Sequence, residues 1–214
     1  MRYCEDGFDE LWFTADAILD TLMERLRGRG VRSLIDLKCG RGQLARWLHI
    51  HASQIRYTGV DQSGTAIFYG SLLSPHVPFV KADYRTQGQF DAAVMIGSFA
   101  EAAFDANAAA AIVQMLTGGG TFFAGVQMLS QAEARAFPES IESFREAGCD
   151  VVYEDWTHRV EPQVLALASG WNQFESRPPQ RIWRKRFEGL ARKALDAIRE
   201  GCFAYAVLDV RKMS

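Results

Sequence analysis

The stretch from Val31 to Leu44, Val-Arg-Ser-Leu-Ile-Asp-Leu-Lys-Cys-Gly-Arg-Gly-Gln-Leu, leaves this chain few folds to choose from. Leu34, Ile35 and Leu37 form the short apolar run of a buried strand, Gly40 and Gly42 supply a turn, and residues 43–50 begin a helix. A strand that passes through Gly-x-Gly into a helix lets backbone N–H groups and the helix N-terminus approach a ligand with no Cβ in the way. A second carboxylate follows, because Tyr57-Thr-Gly-Val-Asp61 reads as another short strand ending in an acid. In nucleotide-type α/β sheets an acid at the tip of the second strand holds ribose hydroxyls. Corner and acid together imply a site for an adenosine-bearing cofactor.

The rest of the chain alternates strands with helices. Ile18, Leu19, Leu22, Met23 and Leu26 recur at helical spacing after an N-cap at Thr14, and Gly28 and Gly30 end the run. Strands are expected at 55–60, 79–83, 90–97 and 121–126, and helices at 64–73, 106–116 and 130–147, with Gly118 to Gly120 and Gly148 as stops. Such alternation predicts a parallel sheet with helices on both faces. The last third reads differently: a long strand over 150–160, a loop over 170–180, a charged helix over 182–200 and a closing strand over 203–211. The expected organisation is one domain, 1–214, with a lid in residues 1–30 and a helical insertion at about 161–201 before the last strand.

Length and charge narrow the partners. The 214 residues suffice for one core, and 48% apolar against 23% charged residues suits a globular fold. A net charge of −2 gives no footprint for nucleic acid. The basic cluster of Arg177, Arg181, Arg184, Lys185, Arg186, Arg192 and Lys193 reads as a solvated helix face. Cys4, Cys39, Cys149 and Cys202 show no metal-ligand spacing and suit reduced thiols. No membrane-spanning run is present, and the acidic start is unlike a signal peptide, so a cytoplasmic location is expected.

In order and spacing, residues 31–126 resemble the class I S-adenosylmethionine-dependent methyltransferases. Asp36-Leu-Lys-Cys-Gly-Arg-Gly42 is similar to that family's acid-x-Gly-x-Gly-x-Gly loop, Val60-Asp61-Gln62 to its ribose-binding acid, and Ala82-Asp83-Tyr84 to its adenine-side acid. Phe90-Asp91 opening a strand to Gly97, then Leu116-Thr-Gly-Gly-Gly-Thr121, looks like its later motifs. The resemblance implies a Rossmann-like, doubly wound, seven-stranded and mostly parallel sheet whose last strand is antiparallel. It implies S-adenosylmethionine as cofactor, with Asp36, Leu37, Lys38, Gly40, Gly42, Asp61, Gln62, Asp83, Tyr84, Ile96 and Gly97 around it. Lys38 departs from the pattern by standing where the family has its first glycine. Its ammonium could pair with Asp36, reach the cofactor's carboxylate, or point away.

Methyl transfer from a sulfonium is an in-line displacement in which the cofactor carries the activation, so a protein base is optional. The acceptor rim is expected to include Tyr3, Trp12, Ser98, Glu101, Tyr153, Trp156, His158 and Trp171, which suits a small, partly apolar acceptor. His158 and Glu101 are the candidate catalytic groups, His158 because imidazole titrates near neutrality. His49, His51 and His76 have no expected role, and Trp47 and Trp183 read as core. The leading reading is methyl transfer to an O or N atom of a small molecule, such as one of specialised metabolism, by a monomer or homodimer free of nucleic acid and membrane. The alternatives are aminocarboxypropyl transfer or cyclisation with the same cofactor, and a non-catalytic methyltransferase-like subunit that binds a partner through the 182–200 helix.

Overall fold

The structure, a computed structural model, describes residues 16–83, 88–96, 105–170 and 192–213. Seven strands form one sheet in the order β3-β2-β1-β4-β5-β7-β6. They are β1 (Ser33–Leu37), β2 (Arg56–Asp61), β3 (Phe79–Lys81), β4 (Phe90–Met95), β5 (Leu116–Met128), β6 (Cys149–Asp155) and β7 (Ala204–Lys212). The pairs among β1 to β5 are parallel, whereas β7 runs antiparallel to both β5 and β6. The expected seven-stranded, mostly parallel sheet with an antiparallel closing strand is the fold of this chain.

Both faces of the sheet are covered, which is why its central strands are continuous apolar runs. On one face α1 (Asp16–Gly28) and α2 (Gln43–His51) pack against Leu34, Tyr57, Ala92, Val94 and Phe123. On the other, α4 (Ala106–Gln114) and α5 (Gln131–Glu146) pack against Ile35, Val60, Ala93, Phe122 and Leu208. α3 (Gly64–Leu73) links β2 to β3 at the sheet's edge. Ser130 and Asp105 cap α5 and α4 through their side-chain oxygens, as Ser63 caps α3. Asp91 locks β4 to the start of β1, its Oδ2 accepting the N–H groups of Arg32 and Ser33 at 2.9 Å each.

Four expectations need correction. First, residues 16–28 of the expected lid are core: Ile18 and Leu22 are fully buried, with Leu26 beside them. Residues 1–15 lie outside the described residues. Second, β5 starts at Leu116 and runs through the glycines that were expected to stop a helix and precede a strand. The pairing jumps from Phe90–Leu116 to Ala92–Thr121, so β5 holds a bulge there, with Gly119 at φ 75°. Third, the strand expected over 150–160 ends at Asp155, and α6 (Thr157–Gly170) follows. Asp155 Oδ1 accepts the N–H of Thr157 at 2.8 Å, and Trp156, Val160 and Val164 then bury one helical stripe. Fourth, of the helix expected over 182–200, residues 192–199 are helical and the earlier part lies outside the described residues. Among the described residues no helix is long and apolar enough to cross a membrane.

Candidate cofactor site

β1, β2, β3 and β4 end at one edge of the sheet, and the glycine loop rises from the end of β1. Three residues of that loop have left-handed backbone: Lys38 (φ 59°), Gly40 (φ 55°) and Gly42 (φ 74°). Such a path turns the chain within five residues and delivers it to the N-terminus of α2, whose N-cap is Gly42. Gly42 has a second reason to lack a side chain, since a Cβ there would lie 2.3 Å from the Phe79 ring. Gly59 beside it is under the same constraint, with its Cβ position 2.7 Å from Phe79 and 2.9 Å from Cys39 Sγ. Phe79, the first residue of β3, therefore props the loop from below, through two glycines on neighbouring segments.

Asp61 fastens the loop to β2. Its Oδ2 accepts the N–H of Gly40 at 3.0 Å, and its Oδ1 accepts the N–H of Ser63 at 2.7 Å. The N–H of Cys39 also bonds the carbonyl of Val60 at 3.0 Å, extending the β1–β2 ladder into the loop. An ionised carboxylate offers about four acceptor positions. Asp61 is half-buried, and these two bonds leave it lone pairs for hydroxyl groups of a ligand. The N–H of Ala82 bonds the carbonyl of Asp61 at 3.1 Å, which brings the tip of β3 and the exposed Asp83 beside the tip of β2.

The residues expected around a cofactor fall into three groups. Lys38, Gly40, Gly42, Asp61, Gln62 and Asp83 come together at the carboxyl ends of β1 to β3. Ile96, buried at the end of β4, lies level with Lys38, two positions beyond the paired Asp36 and Val94. Asp36 and Leu37 sit underneath. Leu37 is 1% exposed and points into the core on the α4 side. Asp36 is 3% exposed, and its Oδ2 accepts the Tyr57 hydroxyl at 2.5 Å. Burial, with the Asp36 charge beside it, pushes the Tyr57 hydroxyl far up, so it stays a proton donor to Asp36. Tyr84, Gly97 and Glu101 lie outside the described residues, as do Tyr3, Trp12, Ser98 and Trp171.

Lys38 carries the expected departure into the structure. It is the one non-glycine residue with positive φ among those described, so the position keeps a glycine's backbone while bearing a lysine side chain. That side chain is half-buried and makes no hydrogen bond or ion pair among the described residues.

Of the expected acceptor rim, Tyr153, Trp156 and His158 lie among the described residues, on β6 or just beyond it. His158 is exposed in the first turn of α6, at the same edge of the sheet as the loop but beyond β6. Four strand spacings separate β6 from β1, roughly 19 Å. Asp155, just before His158, has its carboxyl below the usual range, chiefly through hydrogen bonds from Thr157 and also through the nearby imidazole. Trp156 is 2% exposed, a core residue whose Nε1–H bonds Glu154 Oε2 at 3.0 Å. Tyr153 packs edge-on against Phe137 of α5, on the opposite face.

One residue went unremarked in the sequence. Gln127, near the carboxyl end of β5, is 5% exposed, and its Nε2 has no partner among the described residues. An amide inside the apolar run Phe122-Phe-Ala-Gly-Val-Gln-Met128 was the signal that could have found it.

Residues 35–124 match the family model described as a methyltransferase domain. No curated protein matches the chain. The solved structures it resembles are diverse in chemistry and share its fold. One is the cyclopropane synthase MmaA2 of Mycobacterium tuberculosis, 15% identical, over 92% of this chain and 85% of that one, with a TM-score of 0.72. Another is phosphoethanolamine N-methyltransferase 2 of Haemonchus contortus, in complex with S-adenosyl-L-methionine. It is 14% identical and aligns over 100% of this chain and 60% of its own length, with a TM-score of 0.73. A third is the [4+2]-cyclase SpnF, 21% identical over 92% of this chain and 82% of that one, with a TM-score of 0.64.

Proposed function

We propose that this chain, whose residues 35–124 match a methyltransferase domain on a Rossmann-like sheet, is a class I methyltransferase that binds S-adenosylmethionine over the glycine loop and methylates an O or N atom of a small molecule. The observation that carries the reading is the Asp61 carboxylate, held by Gly40 and Ser63 at the tip of β2 with lone pairs to spare for two ribose hydroxyls. In this assignment Gly40 and Gly42 let the cofactor's amino acid part lie along the backbone, and Lys38 faces its carboxylate. Asp83, with Tyr84 beyond it, accepts from the adenine amino group. Ile96 and Gly97 border the cofactor from the end of β4, and Gln62 flanks the ribose. Asp36 acts from beneath, as the buried acceptor that ties β1 to Tyr57 of β2.

Transfer then needs little from the protein besides alignment. A lone pair of the acceptor atom forms the new bond to the methyl carbon, and the carbon–sulfur bond pair returns to sulfur, leaving the neutral thioether S-adenosylhomocysteine. A protonated acceptor loses its proton to solvent or to a nearby base, a role left to Glu101. His158, exposed beyond β6, is the alternative candidate for that base. Gln127 offers a buried N–H donor on the acceptor side, which favours an acceptor carrying an oxygen next to the reacting atom. The net charge of −2 supports a small acceptor over nucleic acid.

Calorimetric titration tests the reading. Wild-type protein is expected to bind S-adenosylmethionine and S-adenosylhomocysteine at micromolar concentration. Asp61→Ala should weaken both by about 30-fold or more, the loss of two charge-assisted hydrogen bonds. Absence of binding to the wild type refutes it. With binding in hand, the mass of the product separates methyl transfer from transfer of the aminocarboxypropyl arm.

A further inference from the structure

α3 is apolar on every side. Ala66, Ile67 and Gly70 face inward, yet Phe68 and Leu72, one turn apart, are 64% and 65% exposed, flanked by Tyr69 at 39% and Leu73 at 46%. The Phe68 and Tyr69 rings meet edge to face, 5.5 Å between centroids. From Gln62 to Val80 the chain holds no Asp, Glu, Lys or Arg, in a sequence in which charged residues make up 23%. A helix on the surface of a monomer carries charge on its outer face, and one that is apolar all round is covered on both sides. The four side chains expose on the order of 450 Å² of largely apolar surface, within the range that marks an interaction site.

We propose that this face is the twofold interface of a homodimer, in which α3 packs antiparallel on α3 of a second copy. The charge pattern selects that occupant. Around a twofold axis every residue meets the surroundings of its own counterpart, so a charge near the axis faces a like charge. Residues 62–80 present none, and a strongly charged partner would find nothing to pair with. Spacing agrees. α3 is 10 residues long, about 15 Å, and an antiparallel crossing midway between Phe68 and Leu72 sets each Phe68 against the second copy's Leu72. With the exposed, uncharged Thr65, Ser71 and Pro75 at its rim, the patch falls short of the roughly 800 Å² per partner of a standard interface and corresponds to a small one. The inference is independent of the methyltransferase reading.

Light scattering on size-exclusion chromatography, repeated by sedimentation equilibrium over a dilution series, tests it. The wild type is expected at twice the 24.0 kDa chain mass. Phe68→Glu and Leu72→Lys are each expected to run as monomers, dissociating at least 100-fold more readily. Both side chains point to solvent in the monomer, so circular dichroism and thermal unfolding should match the wild type. Mixing the two variants should restore a dimer, because the antiparallel pairing sets the glutamate of one against the lysine of the other while the second Phe68–Leu72 contact stays intact. A monomeric wild type overturns the proposal and leaves the patch to a different apolar partner. A dimer that survives both substitutions, or variants that do not recombine, overturn it too.

Discussion

Lys38→Gly separates two roles that this one residue combines. The backbone at Lys38 has φ 59°, where a side chain costs about 1–2 kcal/mol per residue relative to right-handed geometry. Glycine removes that cost but adds unfolded-state freedom of roughly 0.5–1 kcal/mol. The net expectation is a small gain in stability, about 0.5 kcal/mol. Lys38→Ala keeps the strain and removes the charge, so it should match the wild type and lie roughly 0.5 kcal/mol below Lys38→Gly. The ligand responds to the other half of the residue. The half-buried ammonium makes no hydrogen bond or ion pair among the described residues, and a cofactor carboxylate within reach would supply one. Screened by solvent, that contact contributes about 1 kcal/mol, near fivefold in affinity.

Urea unfolding read by fluorescence measures the first quantity, and calorimetry with S-adenosylhomocysteine and 5′-methylthioadenosine measures the second. Both variants should lose about fivefold for S-adenosylhomocysteine and nothing for 5′-methylthioadenosine, which lacks the amino acid tail. Equal stability of Lys38→Ala and Lys38→Gly would refute the backbone argument. Parallel losses for the two ligands would refute the placement of the ammonium.

Three further outcomes follow from the same geometry. Gly42→Ala brings a Cβ to 2.3 Å from the Phe79 ring at φ 74°, and it should cost about 2–4 kcal/mol in urea unfolding while weakening cofactor binding. Gly125→Ala meets the hydroxyl of the buried Tyr205 at 2.0 Å and should cost about 1–3 kcal/mol, with cofactor affinity retained in the folded fraction. The third concerns Asp209, where Arg29 binds both carboxylate oxygens at 2.7 and 2.8 Å, Arg25 adds a bond at 2.6 Å, and Thr121 lies against the same group. Burial alone would raise its carboxyl, but the guanidinium of Arg29, then Arg25 and Thr121, outweigh it and leave the carboxyl below its usual range. A depressed folded-state value means the contribution is complete above the unfolded carboxyl range, near pH 4, and is lost as pH falls through the lower folded value. Thermal unfolding followed from pH 6 down to pH 2 should therefore show a steeper decline for the wild type than for Asp209→Asn.

What could be read from the sequence, and what could not, divides by the range of the interactions involved. The loop from Asp36 to Gly42 and the acid at Asp61 are set within one strand–turn–helix unit and its neighbour, where glycine placement and the short apolar run of Leu34, Ile35 and Leu37 dictate the backbone. They came out at the carboxyl edge, joined by the Gly40–Asp61 bond. The Asp155–Trp156 junction failed because strand alternation and the helical stripe of Trp156, Val160 and Val164 overlap there, and the capping role of Asp155 decides between them. The strand reading also put Trp156, a core residue, on the expected rim and set His158 on a strand, where the structure has it in the first turn of α6. Asp36 illustrates a subtler limit: its motif position marks it as part of the site, but only the packing of Tyr57 on the neighbouring strand reveals a buried acceptor beneath the loop. The exposed face of α3 was invisible for the opposite reason, since an apolar helix in a sequence reads as core until the sheet is built and leaves it at an edge. The adenosine half of such a site is thus written in local backbone chemistry. The acceptor half depends on which distant segments meet above β4 and β5. Gln127, an amide kept in an otherwise apolar strand with a buried donor, is the residue proposed for that half and the first to substitute. Gln127→Leu should leave cofactor affinity unchanged and raise the KM for an acceptor that uses its N–H. A loss of cofactor binding instead would place Gln127 on the cofactor's side of the site.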